Sequence, residues 1–177
     1  MASGSKRQAK QQFTISLPDP TYEPTAMAVL AGLYIVAPWP TLLAALTPQQ
    51  QVQAAVLADM WQLPAASDAA VGVLQAATDS ADRLSAVLEQ LLSMAAVPDC
   101  LTSVFEHSWQ ELLKKYRSVE VLPDSVLPLF ERVLLSKYGD LEAVWAPGGT
   151  ALQKSLLGLP LNAMELLLAS DRLKVGA

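Results

Sequence analysis

Apolar side chains recur at intervals of three and four in Leu84, Val87, Leu88, Leu91, Leu92 and Ala95. That spacing aligns them along one side of an α-helix, whereas a half-buried strand alternates every second residue. A second stripe follows in Leu101, Val104, Phe105, Trp109, Leu112 and Tyr116, with Glu106, His107, Gln110, Glu111 and Lys114 elsewhere around the helix. Only a short break at Pro98-Asp99 divides the two, so they are expected to pack as an antiparallel pair. If the stripes over 84–95 and 101–116 face each other they form core; a stripe left open is an interface.

Proline and capping residues divide the rest of the chain. Residues 1–12 carry no apolar period and read as a flexible N-terminus, and Phe13-Thr14-Ile15-Ser16-Leu17 alternates as one clear strand does. Pro24 suits the first turn of a helix with Met27, Leu30, Ala31 and Tyr34 inward, closed by Pro38 and Pro40. Thr47-Pro48-Gln49-Gln50 has the capping-box pattern and starts a helix whose stripe is Val52, Val56, Met60 and Leu63. After Pro64 comes a short Ala-rich helix with Val71 and Leu74, then a turn near Thr78-Asp79-Ser80. Pro123-Asp124 opens a helix with Val126, Phe130, Val133, Leu134 and Tyr138 inward and Gly139 at its end. Three short helices follow: one with Leu141, Val144 and Trp145, one with Leu152 and Leu156 after the Pro147-Gly148-Gly149 turn, and Leu161 to Leu168.

Composition bears mainly on what is excluded. A net charge of −5 across 177 residues leaves no basic stripe of the kind that neutralises phosphates, so no nucleic-acid partner is expected. The longest apolar run, Ala26 to Trp39, is interrupted by Gly32 and Pro38 and falls short of a membrane span. Polar opening residues also argue against a secretory signal. Cys100 is the only cysteine, which fits a reducing compartment, cytoplasmic or nuclear.

Few residues carry a hint of chemistry. Cys100 and His107 are a nucleophile and a base, but seven residues along one helix separates them by about 10 Å, beyond proton-transfer reach. A half-buried thiol and a solvated imidazole are therefore expected, and no catalytic residue is assigned. Asp79 with Asp82, and Asp140 with Glu142, sit at helix starts and read as caps. Gly148-Gly149 reads as a turn ahead of Thr150, a plausible N-cap. One His and one Cys cannot complete a metal site, so neither metal nor cofactor is expected. Of the tryptophans Trp39, Trp61, Trp109 and Trp145, the last two lie on apolar faces. Trp61 lies beside its helix's stripe and is a candidate to face a partner. Leu84, Leu88 and Leu91 are candidate partner-binding residues should their stripe stay open.

Two stretches carry a family resemblance. Val56-Leu57-Ala58-Asp59-Met60-Trp61-Gln62-Leu63-Pro64 resembles the late helix of a BTB/POZ domain, and Phe13 to Leu17, Asp19-Pro20 and Met27 to Tyr34 resemble its preceding strand, turn and helix. Leu159-Pro160-Leu161-Asn162-Ala163-Met164-Glu165-Leu166-Leu167-Leu168-Ala169-Ser170-Asp171-Arg172-Leu173-Lys174-Val175 is similar to the BACK signature, a leucine-rich helix reaching Ser-Asp, Leu and Val. The resemblance implies a partial α/β BTB-like segment over 13–78 and a BACK-like helical array over 79–177. It also implies an adaptor or scaffold in protein–protein interaction, of the kind that holds a cullin in cullin-RING ubiquitin ligases. The hydrophobic-x-Glu motif used for cullin binding has no match at Ser5, Lys6 and Arg7. The dimer-forming N-terminal BTB helix also has no counterpart, so the family's usual homodimer does not follow.

The expectation is a mostly α, non-enzymatic interaction module. Its alternatives are a BTB-BACK-like scaffold without a ligase role and a fragment of a longer gene product; a small thiol enzyme ranks last.

Overall fold

A computed structural model of the chain describes residues 14–35, 37–76 and 80–174. The expectations for residues 1–13, Thr78-Asp79 and Val175 fall outside the described residues. Among those described, the fold is mostly helical: a short 3-10 helix at Pro20–Tyr22 precedes ten α-helices. These are α1 (Glu23–Gly32), α2 (Trp39–Ala44), α3 (Pro48–Met60), α4 (Pro64–Ala76), α5 (Ala81–Leu92), α6 (Asp99–Tyr116), α7 (Leu127–Tyr138), α8 (Leu141–Trp145), α9 (Thr150–Leu157) and α10 (Leu161–Ala169).

The two stripes behave as their spacing predicts except at the end of the first, where α5 stops at Leu92 and Ala95 is exposed beyond it. Leu84, Val87, Leu88 and Leu91 of α5 share one core with Leu101, Val104, Phe105, Trp109 and Leu112 of α6, and the two helices pack together. Trp109 meets Phe130 of α7 edge-on at 5.1 Å between ring centroids, and Tyr116 meets the same ring at 5.6 Å. Such edge-to-face geometry suits the charge distribution of aromatic rings. This core includes residues from Val29 to Leu167, so helices from both predicted stretches contribute to it.

Helix α3 lies at the centre of the N-terminal helices. It packs on α1, α2, α4, α5 and α6, which buries Gln51 to Ala55, Leu57 and Ala58. Ala54, Ala55 and Ala58 let neighbouring backbones approach closely. Its start is the predicted capping box: the Gln50 N–H bonds to Thr47 Oγ1 at 3.3 Å, and Thr47 N–H returns a bond to Gln50 Oε1 at 3.1 Å. Its end is a Schellman turn, with Leu63 N–H on Ala58 O at 2.8 Å and Gln62 N–H on Asp59 O at 3.0 Å. Gln62 takes the left-handed position that this turn requires, at φ 56°.

Gln51 is fully buried, and its amide is spent on three partners. Nε2 donates to the carbonyls of Leu43 and Leu46 at 3.0 and 3.1 Å, and Oε1 accepts from Arg83 of α5 at 3.0 Å. One side chain thereby closes the end of α2 and ties α3 to α5. A second buried bond joins Thr25 Oγ1 of α1 to Gln53 Oε1 at 2.7 Å.

Several sequence expectations are corrected. Residues 14–17 form no strand and Ile15 is exposed; among the described residues no strand offers them a ladder, and the isolated β-bridge there joins Asp140 to Lys174. In α1 the inward residues are Thr25, Ala26, Val29 and Gly32, while Met27 and Tyr34 face out. The small face is chosen because it lies against α3, and because the Trp39 indole sits where a Cβ on Gly32 would come within 2.5 Å. Pro38 and Pro40 close no helix alone: Pro40 occupies the first turn of α2, where a missing N–H costs nothing. Met60 is exposed rather than striped inward, α7 begins at Leu127 after a turn, and α9 takes its N-cap from Gly149 rather than Thr150. Trp145 is exposed because Val144 fills the inward position of the single-turn α8.

Replacing Gln51 by Ala strands two carbonyls and a partly buried guanidinium. Gln51→Ala is expected to lower unfolding free energy by about 1–3 kcal/mol, read from urea denaturation. A loss of only a few tenths would mean that water replaces the amide freely.

Candidate protein-interaction surface

The residues singled out for partner binding divide by burial. Leu84, Leu88 and Leu91 are 1%, 0% and 0% exposed, enclosed between α5 and its neighbours, and offer no surface in this fold. The reason is the facing α6 stripe, which covers them. Trp61 is half-buried at the end of α3 and packs against both the main core and a small cluster of Tyr22, Ala26 and Leu57. Its indole joins two cores and keeps only part of its surface outward.

Cys100 is half-buried near the start of α6, and burial pushes its thiol up from the ordinary value, helped by the charges of Asp59 and Asp99. The thiol is accordingly held in its protonated form at neutral pH. His107 lies two turns further along α6, and its Nε2 is buried without a hydrogen-bond partner among the described residues, which corrects the expectation of a solvated imidazole. Asp140 caps α8 as expected, accepting from Ala143 N–H at 3.1 Å. Gly148 adopts φ 105°, a conformation that favours glycine, in the predicted turn. Among the described residues no group of three or more His, Cys, Asp or Glu stands where it could hold a metal ion. No helix among them is long and apolar enough to cross a membrane.

Exposed apolar side chains occur in two regions that sequence reasoning did not single out, besides Trp145, Leu152 and Leu157 on α8 and α9. One is the outer side of α1 and the turn after it, with Met27, Leu33, Tyr34 and Ile35. The other lies between the α6–α7 loop and α10, where Val121 and Leu161 are 77% and 74% exposed. There Arg117 to Val121 face Leu161, Asn162 and Glu165 across a depression of about 450 Å³. It continues into a second of about 270 Å³ lined by Val121, Leu122, Leu127, Leu166 and Ala169. Asn162 sets its width: Nδ2 donates to Tyr116 O at 3.1 Å and Val119 O at 2.7 Å, clamping α10 to the loop. Leu168, seven residues after Leu161, extends the apolar side of α10. The signal that could have found this face is the all-round apolar character of α10, which exceeds what one buried side needs.

No protein-family model, curated protein or solved structure matches the chain.

The Cys100 thiol supplies a test of the α6 environment. Its alkylation by iodoacetamide is expected to rise with pH at a higher midpoint in the folded chain than in urea. A raised folded value also means that this contribution to stability is present below the unfolded thiol's pKa and lost as pH climbs through the folded one. A folded midpoint equal to or below the unfolded one would contradict the burial described.

Proposed function

We propose that the chain is a non-catalytic protein-interaction module, an adaptor or scaffold that holds a partner against the α6–α7 loop and α10. The observation carrying this reading is the groove between Val121 and Leu161, where exposed apolar side chains stand beside Arg117, Glu120 and Glu165 and the walls are fixed by the Asn162 clamp. A preformed groove costs little conformational entropy on docking, and its exposed apolar side chains gain by leaving water. The order of the BTB-like and BACK-like stretches supports the same reading, since Leu159 to Lys174 includes α10 and the residues that follow it.

Within that reading the finer assignment is a partial BTB/POZ segment followed by a BACK-like array, acting in the cytoplasm or nucleus, with a cullin as the partner in a ubiquitin-ligase role. The unmatched hydrophobic-x-Glu motif favours a scaffold without that role.

Affinity capture with the full chain separates these possibilities when run beside Val121→Asp/Leu161→Asp. Both substitutions replace exposed side chains, so stability should change by less than about 0.5 kcal/mol per site. The wild type is expected to retain a specific protein that the double variant binds at least about tenfold more weakly. Equal retention by both would overturn the proposed face, and failure to retain any purified cullin would remove the ligase version.

A further inference from the structure

A second concave region lies on another side of α7, and its chemistry differs from the α10 groove. One depression, of about 390 Å³, is lined by Leu135, Lys137, Val144, Leu152, Arg172 and Lys174 among others. A neighbouring one, of about 440 Å³, is lined by Leu92, Met94, Val97, Arg132, Leu135 and Arg172 among others. They share Leu135, Ser136 and Arg172, so the two form one interrupted trough whose hollows are lined in part by apolar side chains and bear several cations.

The cations are gathered there by fixed backbone rather than by free tails. Lys174 N–H donates to Gly139 O at 2.8 Å and Leu141 N–H donates to Lys174 O at 3.1 Å, fastening the final described residues beside α7 and α8. The Ser170 hydroxyl adds a bond to Glu131 Oε1 at 2.9 Å. Lys137 is neutralised by Glu106 of α6. Arg132, Arg172 and Lys174 have no hydrogen-bonding or ion-pair partner for their side chains among the described residues, and all three are exposed. The carboxylate lining the trough, Asp140, is occupied as the cap of α8. In a chain of net charge −5, three unpaired cations around one concavity make a local field opposite in sign to the whole.

From this we propose that the trough docks an acidic, leucine-bearing segment of a partner protein, its carboxylates on Arg132, Arg172 and Lys174 and its apolar side chains in the two hollows. The proposal rests on the interaction-module reading and supplies the chemistry of one partner. Arginine presents a planar fork matched to carboxylate, and hollows between the cations select a side chain that a flat anionic surface lacks. Concavity favours a peptide over a membrane, and the chain's overall charge disfavours nucleic acid.

Fluorescence anisotropy with a short labelled synthetic peptide of Glu and Leu tests this on the full chain, beside versions with Gln or Lys in place of Glu. Wild type is expected to bind the Glu peptide, more weakly as salt rises. Arg132→Glu/Arg172→Glu should weaken it at least about tenfold while gaining affinity for the Lys peptide, a reversal that misfolding cannot produce. Lys154→Glu, outside the trough, should leave binding unchanged. Equal affinity for the Glu and Gln peptides, an unaffected double reversal, or displacement of the peptide by anionic phosphatidylserine vesicles would each overturn it. Should a protein retained through the Val121 and Leu161 face also stay bound to the Arg132→Glu/Arg172→Glu variant while the peptide fails to bind wild type, this proposal falls and the adaptor reading stands.

Discussion

A helix enclosed by five others has to satisfy its polar side chains internally, and α3 does so through Gln51 and Gln53. Gln51 is the tighter constraint, because its amide closes the end of α2 and reaches α5 in one step. Small residues at 54, 55 and 58 bring the surrounding backbones close enough for those bonds to form. With α3 seated this way, α5 presents its leucines to α6, and α6 carries Trp109 onto Phe130 of α7. The C-terminal helices are then arranged against α7, which contacts α5, α9 and α10.

The helices most legible in the sequence are those with one apolar side and one charged side. In α5 and α6 most of the residues named from spacing are buried, Ala95 past the end of α5 being exposed, and Val126, Phe130, Val133, Leu134 and Tyr138 are likewise inward around α7. Legibility fails where amphipathicity fails. Helix α1 is apolar on every side, so periodicity could not show that Val29 and Gly32 face in while Met27 and Tyr34 face out. In α3 a buried glutamine and a solvated one are the same letter, and only the carbonyls of Leu43 and Leu46 tell them apart. The alternation over residues 13–17 is a local pattern, and a strand needs a neighbour that local pattern does not supply.

The candidate surface was less legible than the core, for a related reason. Leucines that stand out by spacing stand out because they are meant for burial, which is why Leu84, Leu88 and Leu91 lie inside. Surface apolar residues such as Val121 have no period to announce them. Cationic residues in the trough come from α7 and from the segment after α10, and what unites them is the Asp140–Lys174 bridge between distant parts of the chain. The core is closed over its stripes, and the two concave surfaces proposed for docking are framed by specific hydrogen bonds, from the Asn162 side chain in one and from the backbone around Lys174 in the other.

The central claim is that α3, α5 and α6 form one cooperative core spanning both stretches of the chain. Native-state hydrogen exchange tests it directly, because amides that open together share one free energy. The slowest amides of α3 are predicted to exchange with the same opening free energy as those of α5 and α6, equal to that of global unfolding. Exchange of α3 along with α1, α2 and α4 at a distinctly lower free energy, with α5 and α6 still protected, would contradict it.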